Sequence, residues 1–172
     1  MNIRCEKILE RLKNTDKPVT ASSFAEEFGV SRQVIVGDVA ILRAAGYAIL
    51  ATSRGYRLEE SRKAGEYPYV GIIACRHDQE GLKDELYTIV DFGGTIIDVT
   101  IEHAVYGELS GNLNLSSRYE VDDFLRIVRE EKNSLPISSL TDGVHVHRVG
   151  CPDENIFGKI KDALAEKGIL LS

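Results

Sequence analysis

Apolar residues recur along the first sixty positions at the spacing of amphipathic helices. Cys5, Ile8, Leu9 and Leu12 share one helical face. Ala21, Phe24, Ala25 and Phe28 follow the i, i+3, i+4, i+7 pattern behind Thr20, whose hydroxyl suits an N-cap. Gly29 closes this second helix, and Ser31 caps a third that runs to about Ala45 and ends at Gly46. Projected at about 100° per residue, the third helix turns Val34, Ile35, Ile41 and Leu42 toward the core and Arg32, Gln33, Val36, Gly37, Ala40 and Arg43 outward. The segment YAILATSRGYRL then reads as a strand, a turn at Ser53–Arg54–Gly55 and a second strand. Two short helices joined by a tight glycine-containing turn, followed by such a hairpin, predict a winged helix-turn-helix with Arg54 at the wing tip. The outward face of the third helix is small and polar, as close approach to a major groove requires, and Ser31, Arg32, Gln33 and Arg54 are the candidate DNA-binding residues.

The pattern changes after residues 59–66, EESRKAGE, which are polar, contain Gly65 and show neither helical nor strand periodicity. They predict a linker between two domains, about 1–60 and 67–172. In the second, YVGIIACRH is an apolar strand and GLKDELYTIVDFG a helix carrying Leu82, Leu86, Ile89 and Val90. TIIDVTIEHA and YGELSGNLNL are two further strands joined near Val105–Gly107. A helix with Val121, Phe124, Leu125 and Val128 on one face follows, then a strand around Val144–Val149. A last helix begins at about Asp153 and contains Ile156, Ile160, Ala163 and Leu164. The order β-α-β-β-α-β with an added helix predicts an antiparallel sheet covered by helices, an α+β domain of ferredoxin-like layout.

Charge is divided between the two regions. Residues 1–60 hold nine Lys/Arg and eight Asp/Glu, leaving twelve against nineteen of the chain's 21 and 27, so a net charge of −6 resolves into +1 and −7. A near-neutral first domain on an acidic body is compatible with phosphate binding, which depends on the local cationic face. No apolar run approaches the roughly 20 residues that span a bilayer. The opening MNIRCEKILERLK mixes charges into an amphipathic pattern and lacks a signal-type apolar stretch, so a cytoplasmic location is expected.

All four histidines, His77, His103, His145 and His147, fall in the second domain. His145 and His147 are one residue apart in a predicted strand, so their imidazoles point to the same face, two rises of about 3.3 Å apart, where they can converge on one ion. Val144, Val146 and Val149 are expected to face the opposite way, into the core. His77 ends the first strand and Glu85 lies about one turn into the following helix, which brings both to one end of the sheet. Three imidazoles and a carboxylate suit a divalent ion such as Zn2+, Ni2+, Fe2+ or Mn2+, with Asp78, Glu80 and Asp84 as competing carboxylates. Cys5, Cys75 and Cys151 are widely spaced and form no C-x-x-C pair, which argues against a disulfide framework or a thiolate zinc site and leaves them as small buried hydrophobes.

The segment VTASSFAEEFGVSRQVIVGDVAILRAAGYAILATSRGYRL resembles the winged helix-turn-helix of the biotin-operon-repressor type, with Gly37 standing where similar domains carry a long polar residue. HDQEGLKDE, EHAVYGELSG and DGVHVHRVGCPDE resemble the three-histidine domain of bacterial NAD-biosynthesis repressors responsive to nicotinic acid. Essentially the whole chain is thus similar to the NiaR-type repressors. The resemblance implies a homodimer that binds operator DNA, nicotinic acid as co-repressor, and one divalent transition metal per chain, nickel or zinc. By the same likeness His77, Glu85, His145 and His147 match metal positions, and His103 matches another characteristic histidine, which either lines the effector-binding pocket or satisfies a core hydrogen bond. Three rival readings are a repressor of this architecture answering to another small molecule or to the metal itself, a metal enzyme with an appended DNA-binding domain, and a purely structural metal. The chain has no G-x-S-x-G, P-loop or H-E-x-x-H, so a regulator rather than an enzyme is expected.

Overall fold

The computed structural model describes residues 2–59 and 67–171. They fall into two compact units, Met1–Ala64 and Gly65–Ser172. Of the expected linker, 60–66 lies outside the described residues. Among the described residues no helix is long and apolar enough to cross a membrane.

The first unit contains α1 (Ile3–Lys13), α2 (Ala21–Phe28), α3 (Arg32–Ala44), β1 (Ile49–Thr52) and β2 (Gly55–Leu58). Each helix starts on a side-chain cap: Asn2 accepts from the Cys5 N–H at 2.8 Å, Thr20 from Ser23 at 3.0 Å and Ser31 from Val34 at 3.4 Å. Gly29 ends α2 with a left-handed φ of 62°. The apolar faces of α1 and α2 meet Ile35, Val39 and Leu42 of α3 in one core. The wing is larger than a hairpin, because Val19 exchanges two backbone hydrogen bonds of 2.8 Å with Tyr56.

The phase expected for α3 needs correcting. Ile35 and Leu42 are buried, but Val34 and Ile41 are 39% and 49% exposed, and the inward positions are completed by Val39 and Asp38. Asp38 is 3% exposed yet charged, which burial alone would forbid. It is tolerated because α1 delivers Arg4, which binds both carboxylate oxygens, with Asn2 donating at 3.3 Å.

The second unit runs β3 (Tyr69–Arg76), α4 (Gly81–Asp91), β4 (Thr95–His103), β5 (Gly107–Leu115), α5 (Arg118–Glu130), a 3-10 turn (Ile137–Thr141), β6 (Val144–Cys151) and α6 (Glu154–Glu166). The α+β class and the β-α-β-β-α-β order with an added helix are as expected. The sheet is antiparallel throughout, in the order β3-β6-β4-β5. Its inner pair is therefore the last and second strands of the unit, whereas the ferredoxin-like layout sets the first and third side by side. Leu86 and Ile89 of α4, Val121 of α5 and Ile160 and Leu164 of α6 pack on one sheet face around Ile73, Leu115 and Val149. The opposite face leaves Val70, Ile72 and Val144 exposed.

Candidate metal centre

Strand periodicity puts His145, His147, Val149 and Cys151 on the same face of β6, and that face is the one covered by helices. The expected arrangement is thus inverted: Val144 and Val146 point away from the helices, while both histidines, each 2% exposed, lie in the interior beside Val149. Two imidazoles in place of apolar residues on the buried face of a central strand need a partner.

That partner is Glu85. It sits on the second turn of α4 and is 0% exposed, whereas Asp78, Glu80 and Asp84 all face solvent. Asp78 is occupied at the start of α4, where its side chain accepts from the Glu80 and Gly81 N–H groups at 3.0 and 3.1 Å. The Glu85 carboxylate lies 2.6 Å from His77 Nε2, 3.0 Å from His145 Nε2 and 3.5 Å from His147 Nε2. The rings stand edge to face, His77 on His145 at 81° and His145 on His147 at 77°. Thus His77, Glu85, His145 and His147 are brought together, with all three Nε2 atoms converging.

The opposite ring nitrogens are each committed to the backbone. His77 Nδ1–H donates to the Asp78 carbonyl at 2.5 Å, His145 Nδ1–H to Gly143 at 2.8 Å, and His147 Nδ1–H to Asp98 at 2.6 Å. The last carbonyl lies where the β4 ladder is interrupted between Ile96 and Asp98, an irregularity of the kind found beside functional sites. Fixing the proton on Nδ1 leaves Nε2 as the atom each ring presents to a ligand. His147 Nε2 is buried and has no hydrogen-bond partner. Lone pairs gathered around a buried carboxylate repel it unless a cation or shared protons lie among them. The donor set and the orphaned nitrogen therefore fit a divalent ion.

Electrostatics point the same way. Burial opposes ionisation of Glu85, but His147, His145 and His77 outweigh it and hold the carboxyl well below its ordinary range. Burial likewise opposes the charged forms of His77 and His147, yet Glu85 raises both above the ordinary imidazole value.

Cys75 also belongs to this neighbourhood, which the reading of the cysteines as small apolar residues missed. Burial and then Glu85 push its thiol up, and its sulfur lies within 4.8 Å of a Glu85 oxygen and a His145 ring nitrogen. Spacing alone does not reveal it: Cys75 stands two residues before His77, but β3 ends at Arg76, and it is the pairing with β6 that sets the sulfur beside His145.

An open pocket of about 500 Å³ abuts the cluster, lined by Arg76, His77, Leu82, Pro136, Ser138 and Gly143 among others. His103 does not line it. That side chain ends β4, where its Nδ1 accepts the backbone N–H groups of Val105 and Tyr106 at 3.2 and 3.3 Å and its ring stacks on Tyr106. Its surroundings are those of a residue that holds a hairpin turn. In the first unit, Ser31, Arg32 and Gln33 are exposed together at the start of α3, and Arg54 is half-buried in the wing turn.

Two known families match the chain. The 3H domain family matches residues 70–172, and a helix-turn-helix (HTH) domain family matches residues 4–57. The chain is 40% identical over 168 residues to the probable transcription repressor NiaR of Thermotoga maritima, covering 98% of this chain and 93% of the relative. Identity, length and coverage are the same for the transcription repressor NadR of Bacillus subtilis, at 40% over 168 residues. An uncharacterized protein of Methanothermus fervidus is 32% identical over 105 residues, 58% of this chain and 16% of that protein.

Proposed function

The chain belongs to the 3H-domain family of transcription repressors that includes NiaR and NadR, and on that premise we propose that it represses genes of NAD biosynthesis or niacin uptake as an operator-binding homodimer, with nicotinic acid as co-repressor. The observation that carries the sensor half of this reading is the convergence of three Nε2 atoms on Glu85 beside an open pocket. His77, Glu85, His145 and His147 would hold one divalent ion, nickel or zinc. When bound, the ion supplies a fixed positive charge and a Lewis-acidic anchor for a carboxylate or a pyridine nitrogen.

The chain's own residues supply the rest of the binding chemistry. Arg76, paired to Asp142 at 2.8 Å at the pocket mouth, offers a guanidinium to a carboxylate, while Leu82 and Pro136 offer apolar contact to a flat ring and Ser138 a hydroxyl. A ligand seated there touches the 3-10 turn and Gly143, and Gly143 orients His145. Effector occupancy and cluster geometry are thereby linked through one short segment. In the first unit, the exposed Ser31, Arg32 and Gln33 at the N-terminus of α3 would meet phosphates and base edges, and the wing turn at Arg54 would lie alongside the duplex. A homodimer engages two half-sites together only when its recognition helices are spaced to match them, and the effector acts by favouring that arrangement.

The test is operator binding by the full-length protein, followed by fluorescence anisotropy with and without nicotinic acid, each with and without chelator. Affinity is expected to rise with nicotinic acid, to lose that rise when the metal is stripped, and to fall as salt increases. Equal affinity with and without nicotinic acid contradicts it as the effector; a response to metal alone assigns the regulation to the metal.

A further inference from the structure

We propose that Cys75 is a fifth donor to the cation held by His77, Glu85, His145 and His147, making the centre a mixed imidazole, carboxylate and thiolate site. The inference rests on the metal-centre reading above and extends its donor set.

The sheet register places the sulfur. Cys75 of β3 pairs directly with His145 of β6, so the two side chains leave the same face of adjacent strands. The next pair on that face is Ile73 with His147, which makes Cys75 the one heteroatom that β3 contributes beside the two imidazoles. The residue is completely buried. A sulfur in that position would ordinarily rest against apolar atoms, yet Cys75 Sγ, a Glu85 oxygen and a His145 ring nitrogen all lie within 4.8 Å of one another. That is close to the spread of donors set about 2.0–2.3 Å from a single ion. The second observation is His147 Nε2, buried, without a hydrogen-bond partner, and directed at the same carboxylate.

The other cysteines mark the contrast. Cys5 belongs to the first unit, where its sulfur contacts Asp38 at 3.6 Å, and Cys151 pairs with Tyr69 at the far end of β6. Coordination replaces the S–H bond of Cys75 with a sulfur–metal bond, and the proton leaves to the buffer. A thiolate among imidazoles biases the site toward zinc, cobalt and nickel and away from manganese and magnesium.

Cobalt(II) titrated into chelator-stripped, reduced, full-length protein tests this, because thiolate coordination gives a near-ultraviolet charge-transfer band separate from the visible ligand-field bands. The wild type is expected to show both. Cys75→Ser is expected to keep the visible bands, lose the near-ultraviolet band and bind cobalt at least tenfold more weakly, while Cys151→Ser keeps both bands. Visible bands without a charge-transfer band in the wild type, or a band that survives in Cys75→Ser, overturns the proposal. Failure of the wild type to retain cobalt at all, with neither band, overturns the metal-centre reading itself. Should Cys75→Ser not fold, X-ray absorption at the cobalt edge of the wild type decides: a sulfur in the first coordination shell supports the proposal and a shell of nitrogen and oxygen alone refutes it.

Discussion

His145 donates its Nδ1–H to the carbonyl oxygen of Gly143, two residues earlier in the chain, at 2.8 Å. Gly143 holds a φ of +84°, and a Cβ placed on it would lie 2.1 Å from the His77 carbonyl oxygen. One residue thus both orients an imidazole and lets the segment bearing another pass against it. Gly143→Ala must move one of the two segments, so metal affinity is expected to fall by about 10–100-fold, the range for loss of an outer-shell contact. Calorimetric titration checks this, and the far-ultraviolet spectrum should stay close to wild type.

Glu85 is the sole carboxylate that the cluster encloses among the described residues. Glu85→Gln preserves its shape but removes the charge that draws a cation in. Binding of zinc or nickel is expected to weaken by at least about 100-fold, and the rise in melting temperature on adding metal should vanish. Glu80→Gln, on an exposed position, should leave both unchanged.

The pH dependence has opposite signs with and without metal. His77 and His147 titrate above their ordinary value when folded, because Glu85 outweighs their burial. In metal-free protein the resulting stabilisation is complete below the unfolded imidazole value, about 6.5, and is lost as pH rises through the raised folded values. Metal must displace those protons, so its affinity should increase between about pH 6 and pH 8. Melting curves across that range are expected to fall for stripped protein and to separate progressively upward for the loaded form.

In the first unit, Asp38 ties α3 to α1 through Arg4 and Asn2. Asp38→Ala leaves the Arg4 guanidinium without its partner and removes the polar tie between α3 and α1, whose apolar faces remain packed. The transition of this unit should drop by about 5–10 °C, with operator affinity reduced and metal affinity unaltered. Since the Arg4 hydrogen bond depresses the Asp38 carboxyl, the contribution is present above about pH 4 and is lost as pH falls through the lowered folded value.

Arg32 and Gln33 are exposed and take no part in the core. Arg32→Ala and Gln33→Ala should therefore leave stability within about 0.5 kcal/mol of wild type. Each is expected to cost about 1–3 kcal/mol of operator binding where it reads a base edge. If Arg32 meets only a phosphate, its loss instead lowers the salt slope by about one, and anisotropy titrations at several salt concentrations separate the two.

What was legible in the sequence was local. The caps at Thr20 and Ser31, the core face of α1 and the shared direction of His145 and His147 all follow from spacing within one element. What was not legible depends on partners far along the chain. Asp38 faces inward because Arg4 and Asn2, some 34 and 36 residues away, neutralise it, and that shifts the apparent phase of α3 so that Val34 and Ile41 point out. The buried side of β6 was misjudged for the same reason, since valines beside histidines look like the inward set until Glu85, 60 residues from His145, enters the interior to meet them. Cys75 joins the cluster only through strand register, which no single segment encodes.

The central claim is that His77, Glu85, His145 and His147 hold one divalent cation. Calorimetric titration of zinc or nickel into chelator-stripped protein tests it most directly. One equivalent bound with accompanying proton release, and loss of that binding in His147→Ala with the fold intact, is the expected result; no binding by the wild type, or undiminished binding by His147→Ala, would contradict the account.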